Sequence, residues 1–300
     1  MTLNYIDNKD LYPSRKGKPP KIYDRIDPVV YSNDSESPIS SQLIKKYKKN
    51  GYLKIDNFFS LEEITSYQKE LEYLLKADYV VDKEKIIREP NSHEIRSIFQ
   101  IHQISKVYKK LSKHKDLLSL VKFLLNDNIY IFQSRLNFKP GFRGKEFYWH
   151  SDFETWHVED GMPSMRAVSI SIPLTTNTYE NGPLMFIPGS HKKFISCQGF
   201  TPINHFRRSL KQQNFGVPDG LHLSELINQN GIESMICEPG CLILFDCNTI
   251  HGSNSNISSF SRSNIFIVYN SIKNKVSQPY SGQSPRPEYI CTRKKIELII

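Results

Sequence analysis

Cysteine is scarce in this chain of 300 residues: there are five, at positions 197, 237, 241, 247 and 291, an odd number without a Cys-x-x-Cys pair. That argues against a disulfide framework and against a zinc ribbon, and leaves buried thiols in a reducing compartment. Cys237 and Cys241 come nearest to a metal spacing, but Glu238-Pro239-Gly240 between them reads as a turn joining two strands. No apolar run approaches the roughly 18 residues needed to cross a bilayer, so no membrane partner is expected. The first ten residues, Met1 to Asp10, lack the apolar segment of a secretory signal, and the expected location is the cytoplasm. Blocks of like charge are missing too. The net charge of +9 comes from 40 basic and 31 acidic residues, scattered except for Lys45-Lys46-Tyr47-Lys48-Lys49 at the end of a predicted helix and Arg293-Lys294-Lys295 near the C-terminus. The expectation is a solvated basic surface and no nucleic-acid partner.

What is present is enough for a well-buried core, with 38% hydrophobic residues and 12% aromatics. The first forty residues, rich in Pro, Asp, Ser and Lys, read as an extended arm wrapped on the body. A helix over 42–49 is stopped by Asn50-Gly51, and a short strand follows at 52–55. Ser60-Leu61-Glu62-Glu63 has the capping-box form and opens a helix to about Ala77. Another helix is predicted over 105–125. Beyond Asn126 the texture changes to short apolar strands, clearest at 129–138, 165–174, 183–187, 241–246 and 264–270, a spacing that points to an antiparallel sandwich or barrel. With no repeat or linker, a single domain is expected: an arm and helical buttress over 1–126, a β core over 127–275 and a tail over 276–300.

The most informative stretch is Trp149-His150-Ser151-Asp152-Phe153-Glu154-Thr155-Trp156. If it is a strand, His150 and Asp152 point to one face and can grip one metal ion. A distant histidine, best His251 after the apolar run 241–245, completes a 2-His-1-carboxylate triad of the kind that favours Fe(II) and leaves positions open. An internal control weighs that spacing. His114-Lys115-Asp116 is also His-x-Asp, but its periodicity is helical, and helical residues two apart lie about 200° apart around the axis. The spacing alone is weak evidence, and its force comes from strand context and partners.

Strand phase supplies the partners. Regular alternation through 129–139 sets Gln133, Arg135, Asn137 and Lys139 on one face and Phe132, Leu136 and Phe138 on the other. A polar face ordinarily meets water. In the strand at 166–174, however, Val168, Ile170, Ile172 and Leu174 form a bulky face while Ala167, Ser169 and Ser171 form a small one, which suits the border of a cavity. Arg262, Asn264 and Phe266 share a third phase, opposite Ile265, Ile267 and Tyr269. A guanidinium at Arg262 could hold a dicarboxylate by a bidentate pair; the plain alternative is a surface arginine.

The segment Phe147-Tyr148-Trp149-His150-Ser151-Asp152-Phe153-Glu154-Thr155-Trp156-His157-Val158-Glu159-Asp160-Gly161-Met162-Pro163, with Met165-Arg166-Ala167, resembles the defining segment of ectoine hydroxylases within the phytanoyl-CoA dioxygenase superfamily. Further matches cover most of the chain, among them Asp10-Leu11-Tyr12-Pro13-Ser14-Arg15, Asn181-Gly182-Pro183-Leu184-Met185 and Arg286-Pro287-Glu288-Tyr289-Ile290. The resemblance implies a mostly β fold with α: a double-stranded β-helix, or cupin-like jelly roll, buttressed by N-terminal helices. It implies Fe(II)-, 2-oxoglutarate- and O2-dependent hydroxylation of ectoine to 5-hydroxyectoine, with release of succinate and CO2, by a homodimer. It suggests His150, Asp152 and His251 as iron ligands, Lys139, Asn137, Arg262 and Ser253 around 2-oxoglutarate, and Gln133, Thr155, Trp156, Phe245, Asn264 and Phe266 around ectoine. The aromatics would offer cation–π faces to the amidinium of that small zwitterion.

Two positions depart from the pattern: Phe200, where an acidic residue is usual, and Ser164, where arginine is frequent before Met165. The aspartate at 152 argues against a halogenase, which needs that coordination position vacant. His93, His102, His157, His191, His205 and His222 are expected to be structural or exposed. Two other readings stay open: a hydroxylase of another small zwitterion such as proline, and a jelly-roll module that binds an osmolyte without turnover.

Overall fold

The computed structural model describes residues 10–76, 81–89, 92–210 and 215–299. Gly51 shows how one residue joins helix to sheet. It ends the helix Ser41–Asn50 in the left-handed conformation, φ 86°, and a Cβ there would lie 2.5 Å from His191 Nδ1; glycine is needed for both reasons. The strand Tyr52–Ile55 follows at once. Helix Leu61–Lys76 opens with the expected capping box: Glu63 N donates to Ser60 Oγ at 3.2 Å and Ser60 N to Glu63 Oε2 at 2.9 Å. The predicted end at Ala77 lies outside the described residues, as do residues 1–9 of the arm.

The helix predicted over 105–125 is two helices, Lys106–Leu111 and Lys115–Leu125. The break comes from local side-chain bonds that compete with the helix. Ser112 Oγ turns back to Lys109 O at 2.8 Å, and His114, in an extended conformation, caps the second helix through Leu117 N. His114 and Asp116 therefore share no helix interior, and His114 Nε2 faces Glu63 at 3.2 Å.

All the sheet pairings are antiparallel. The large sheet runs Tyr52–Ile55, Leu242–Asp246, Ala167–Pro173, Arg262–Ser271, Ile129–Lys139, Ile95–Phe99, Ile86–Arg88, with Leu298–Ile299 also pairing with Ile129–Lys139. A four-stranded sheet, Glu233–Ser234, Leu184–Phe186, His251–Ser253, Phe147–His150, faces it. Two facing antiparallel sheets, with the N-terminal helices packed outside the larger, make the expected jelly roll. The outer face of the large sheet buries Val168, Ile170, Ile172, Ile265, Ile267 and Tyr269 against Leu117, Leu120, Val121 and Leu124 of the helices. Its inner face packs Ile243, Phe245 and Phe266 with Phe186 and Leu184 of the small sheet. The arm adds a short strand, Ile22–Asp24, to Lys193–Ile195.

Alternation along Ile129–Lys139 does not run unbroken. Val268 pairs with Gln133 but Tyr269 with Ile131, so Phe132 is the extra residue of a β-bulge. Beyond it the phase flips. Leu136 and Phe138 join the outer core as predicted, whereas Phe132 packs inward against Trp156, ring centroids 5.1 Å apart.

Candidate active site

His150 ends the strand Phe147–His150, and Asp152 opens the helix Asp152–Thr155, with Ser151 as its N-cap accepting from Glu154 N. The predicted strand thus stops two residues short of Asp152. The chain turns at Ser151 because its side chain accepts from Glu154 N–H while Phe153 N–H donates to Cys247 O, and the turn, not strand phase, brings the two side chains together. His251 begins the strand His251–Ser253 and pairs directly with His150. Asp152 Oδ1 lies 3.8 Å from His150 Nε2 and 3.9 Å from His251 Nε2, and one ligand atom from each residue lies within 4.8 Å of the others.

The histidines are prepared for ligation. Both Nδ1 atoms face backbone carbonyls, Tyr148 O at 2.7 Å and Thr249 O at 2.9 Å. A carbonyl only accepts, so Nδ1 carries the proton and the Nε2 lone pair is left for a metal. Burial, then the neighbouring His251 and Arg135, hold the pKa of His150 well below its ordinary value, which favours the neutral ligand form. Ser169 Oγ donates to Asp152 Oδ2 at 3.2 Å, leaving Oδ1 toward the imidazoles. The donor set of two imidazoles and one carboxylate fits Fe(II).

Cavities of unlike character lie on either side of the triad. The first, about 460 Å³, is lined by Lys139, Asn137, Arg262, Ser253 and Phe266 together with His150 and His251, and Arg96 adds another cation. None of its lining residues is acidic. Arg262 is fully buried, and its Nε has no hydrogen-bond partner; burial, then Arg96, brings its pKa down to about 10. Its Nη2 donates to Asn137 Oδ1 at 3.1 Å. Lys139 Nζ rests on the carbonyls of Lys145, at 2.8 Å, and Asn254, and burial, then Arg262, pushes its pKa well below the usual lysine value. Cations crowded together, with an unpaired N–H, fit a bound dianion.

The second cavity, about 470 Å³, is lined by Gln133, Thr155, Trp156 and Phe215, by Asp152 and His150, and by charges of both signs, Glu159 and Arg286. Arg135 and Phe147 belong to both cavities. Gln133 Nε2 donates to Ile290 O at 2.8 Å. Arg286 forms a two-point pair with Asp160, through Nε at 2.9 Å and through Nη2.

Of the residues the sequence pointed to, the structure gathers His150, Asp152 and His251, sets Lys139, Asn137, Arg262 and Ser253 in the first cavity, and sets Gln133, Thr155 and Trp156 in the second. Phe266 falls in the first, its ring 5.2 Å from the guanidinium carbon of Arg135. Phe245 and Asn264 line neither. Phe245 packs against His251, centroids 5.0 Å apart, and the Asn264 amide bonds Ser171 Oγ at 3.1 Å. Sequence reasoning missed Arg135, Arg96, Glu159 and Arg286. Arg135 shares its phase with Gln133 and Asn137, a signal that was available. Arg96 lies on the strand Ile95–Phe99, which the sequence did not mark, and Arg286 lies in a segment that carried the resemblance without being given a role. His157 is structural, tied to Asp10 Oδ1 at 2.9 Å and Met162 O at 2.7 Å. All five cysteines are buried and free. Among the described residues, no helix is long and apolar enough to cross a membrane. Phe200 is exposed, and Ser164 bonds Asn274.

A jelly roll with two histidines and an aspartate at its inner wall, flanked by a cationic cavity, defines a mononuclear non-haem iron dioxygenase of the 2-oxoglutarate-dependent class. Residues 47–264 match Phytanoyl-CoA dioxygenase (PhyH), and the chain belongs to that family. It is 47% identical over 289 residues to the ectoine dioxygenase of Stutzerimonas stutzeri (strain A1501), covering 96% of each. The crystal structure of EctD from S. alaskensis with 2-oxoglutarate and 5-hydroxyectoine matches with a TM-score of 0.86 at 45% identity, covering 95% of each chain. The structure of the same enzyme with bound Fe matches with a TM-score of 0.87 at 44% identity, covering 97% of each.

Proposed function

We propose that this protein is an Fe(II)- and 2-oxoglutarate-dependent dioxygenase that hydroxylates ectoine to 5-hydroxyectoine. The observation that carries this reading is the placement of the triad between a purely cationic cavity and one of mixed charge. A dicarboxylate suits the first and a small zwitterion the second. Likeness to ectoine dioxygenases over nearly the full length supports the same substrate.

Ferrous iron held by His150, Asp152 and His251 supplies the capacity to activate O2 at the expense of 2-oxoglutarate, which leaves as succinate and CO2. The side chains bind and orient. Arg262 and Lys139 meet the far carboxylate of 2-oxoglutarate, with Asn137 and Ser253 beside it. In the second cavity Arg286 and Arg135 face the ectoine carboxylate, and Trp156 offers its ring to the delocalised amidinium. Gln133, its NH2 occupied by Ile290 O, turns an acceptor oxygen to the ring N–H groups, and Thr155 adds a hydroxyl. Phe147 and Phe215 close the walls, excluding water from the reacting ring carbon.

In this reading the protein works in the cytoplasm as a homodimer; light scattering on the purified chain tests the second point. The decisive experiment is turnover with Fe(II), 2-oxoglutarate, O2 and ectoine. Hydroxyectoine and succinate in equal amounts are expected, and their absence from iron-loaded protein would overturn the reading. Proline offered in competition, followed by succinate release, separates the substrates.

A further inference from the structure

The N-terminal arm reaches the mixed-charge cavity through one buried side chain. Arg15, held in the left-handed conformation at φ 53° and 3% exposed, lays a fork on Glu154, Nε to Oε1 at 3.0 Å and Nη2 to Oε2 at 2.6 Å. Its Nη1 donates to Glu159 Oε1 at 2.5 Å, and Nη2 also reaches Thr155 Oγ1 at 3.2 Å. The arm is fastened around it. Arg15 N donates to Cys197 O at 2.9 Å, and Ser14 Oγ to Glu154 Oε1 at 2.5 Å. Gly216 lies over this cluster: a Cβ there would sit 2.4 Å from Arg15 Nη2 and 2.7 Å from Glu154 Oε2. The next residue back, Phe215, lines the cavity.

Thr155 and Glu159 line the cavity, and Glu154 does not. One guanidinium from a distant segment thus joins two groups of the cavity wall, Thr155 at the end of the helix that begins with Asp152 and Glu159 in the turn after it, to each other and to the arm. We propose that Arg15 is a positioning residue for substrate binding, which sets Thr155 and Glu159 in the orientation that receives the zwitterion. The proposal rests on the reading of that cavity as the ectoine site. Burial raises the pKa of the Glu159 carboxyl, but Arg15 and then Arg286 outweigh it and hold it below the usual range. The wall therefore keeps an anion beside the Arg286 cation, a complement to a substrate with both charges. Lysine cannot replace Arg15, because a single ammonium has no planar fork to span two carboxylates and a hydroxyl.

The test uses Arg15→Lys and, away from the arm, Gly216→Ala, which pushes a methyl group into the same cluster. Calorimetry under nitrogen, on protein loaded with Fe(II) and 2-oxoglutarate, is expected to show ectoine binding weakened about tenfold or more in both. Binding of 2-oxoglutarate should stay within about twofold. In steady state the KM for ectoine should rise more than kcat falls. Ectoine affinity within about twofold of wild type, or equal losses for ectoine and 2-oxoglutarate, overturns the proposal and leaves Arg15 a purely structural clamp. Hydrogen exchange separates this from failure of the functional reading. If wild type does not bind ectoine, faster exchange over 153–160 in Arg15→Lys keeps the positioning role, and unchanged exchange there ends it.

Discussion

His150 and His251 face each other across paired strands with ring centroids 4.2 Å apart, and each ties its Nδ1 to the carbonyl two residues behind it. Their Nε2 atoms point to the same carboxylate oxygen of Asp152. The backbone has already chosen the tautomer and the aim of both rings, so the protein needs little rearrangement to take up a metal.

Removing the carboxylate separates binding from turnover. Asp152→Ala is expected to lower iron affinity by about 100-fold or more, since loss of a group that merely supports a ligand already costs about 10- to 100-fold. Hydroxyectoine formation should collapse with it. Metal analysis after dialysis and product assay check this, and an Asp152→Ala protein that retains iron and activity sinks the triad. A binding module without turnover would survive the change.

Arg262 should govern the cosubstrate. Its guanidinium is buried, with Nε unpaired, and a hydrogen bond to a charged group is worth about 1.5–3 kcal/mol. Arg262→Gln is therefore expected to raise the KM for 2-oxoglutarate roughly 10- to 150-fold, with a much smaller effect on ectoine. Initial rates at varied 2-oxoglutarate measure it, and an unchanged KM would remove Arg262 from that role.

Much of this site was legible because strand phase survives folding. Arg262, Asn264 and Phe266 lie opposite Lys139, Asn137 and Arg135, the very alternation read from the chain. The small face of Ser169 and Ser171, expected to border a cavity, lines neither one and instead hydrogen-bonds Asp152 and Asn264. Illegible features were those where one local hydrogen bond or one extra residue overrides the period. The bulge at Phe132 shifts phase without a Gly or Pro to mark it. Ser151 turns strand into helix, and His114 caps a second helix where the sequence was read as one over 105–125. Glu159 and Arg286 were hidden for another reason: ion pairs that join distant segments leave no periodic trace.

Acid should loosen the fold through buried histidines. Burial, then Lys109, lowers the pKa of His102 to about 4, and burial lowers that of His191 to about 4, against 6.5 in an open chain. Between these values the unfolded chain binds more protons, so stability rises with pH from about 4 to 6.5 and is lost as pH falls through that window. Each histidine contributes at most about 1.4 kcal/mol per pH unit. Urea unfolding of metal-free protein from pH 4.5 to 7 should show the slope, and His191→Gln should flatten it by up to that amount. An unaltered slope would mean that His191 takes up its proton in the folded state as readily as in the unfolded one.

Arg25 joins the arm to the strand that leads to His251. Its Nη1 donates to Asp246 Oδ1 at 2.8 Å with both side chains almost fully buried, and Asp246 Oδ1 also accepts from Asn248 N at 2.8 Å, bracing the turn before the histidine. Arg25→Met leaves a buried carboxylate uncompensated and should cost about 3–5 kcal/mol. Arg25→Met with Asp246→Leu removes both charges, and a buried pair replaced by apolar groups is often close to neutral. Recovery should nevertheless be partial, because Asn248 N–H then loses its acceptor, at about 1–3 kcal/mol. Denaturant unfolding of the two variants tests this order. A double variant less stable than Arg25→Met would show that Asp246 matters for the turn more than for the ion pair.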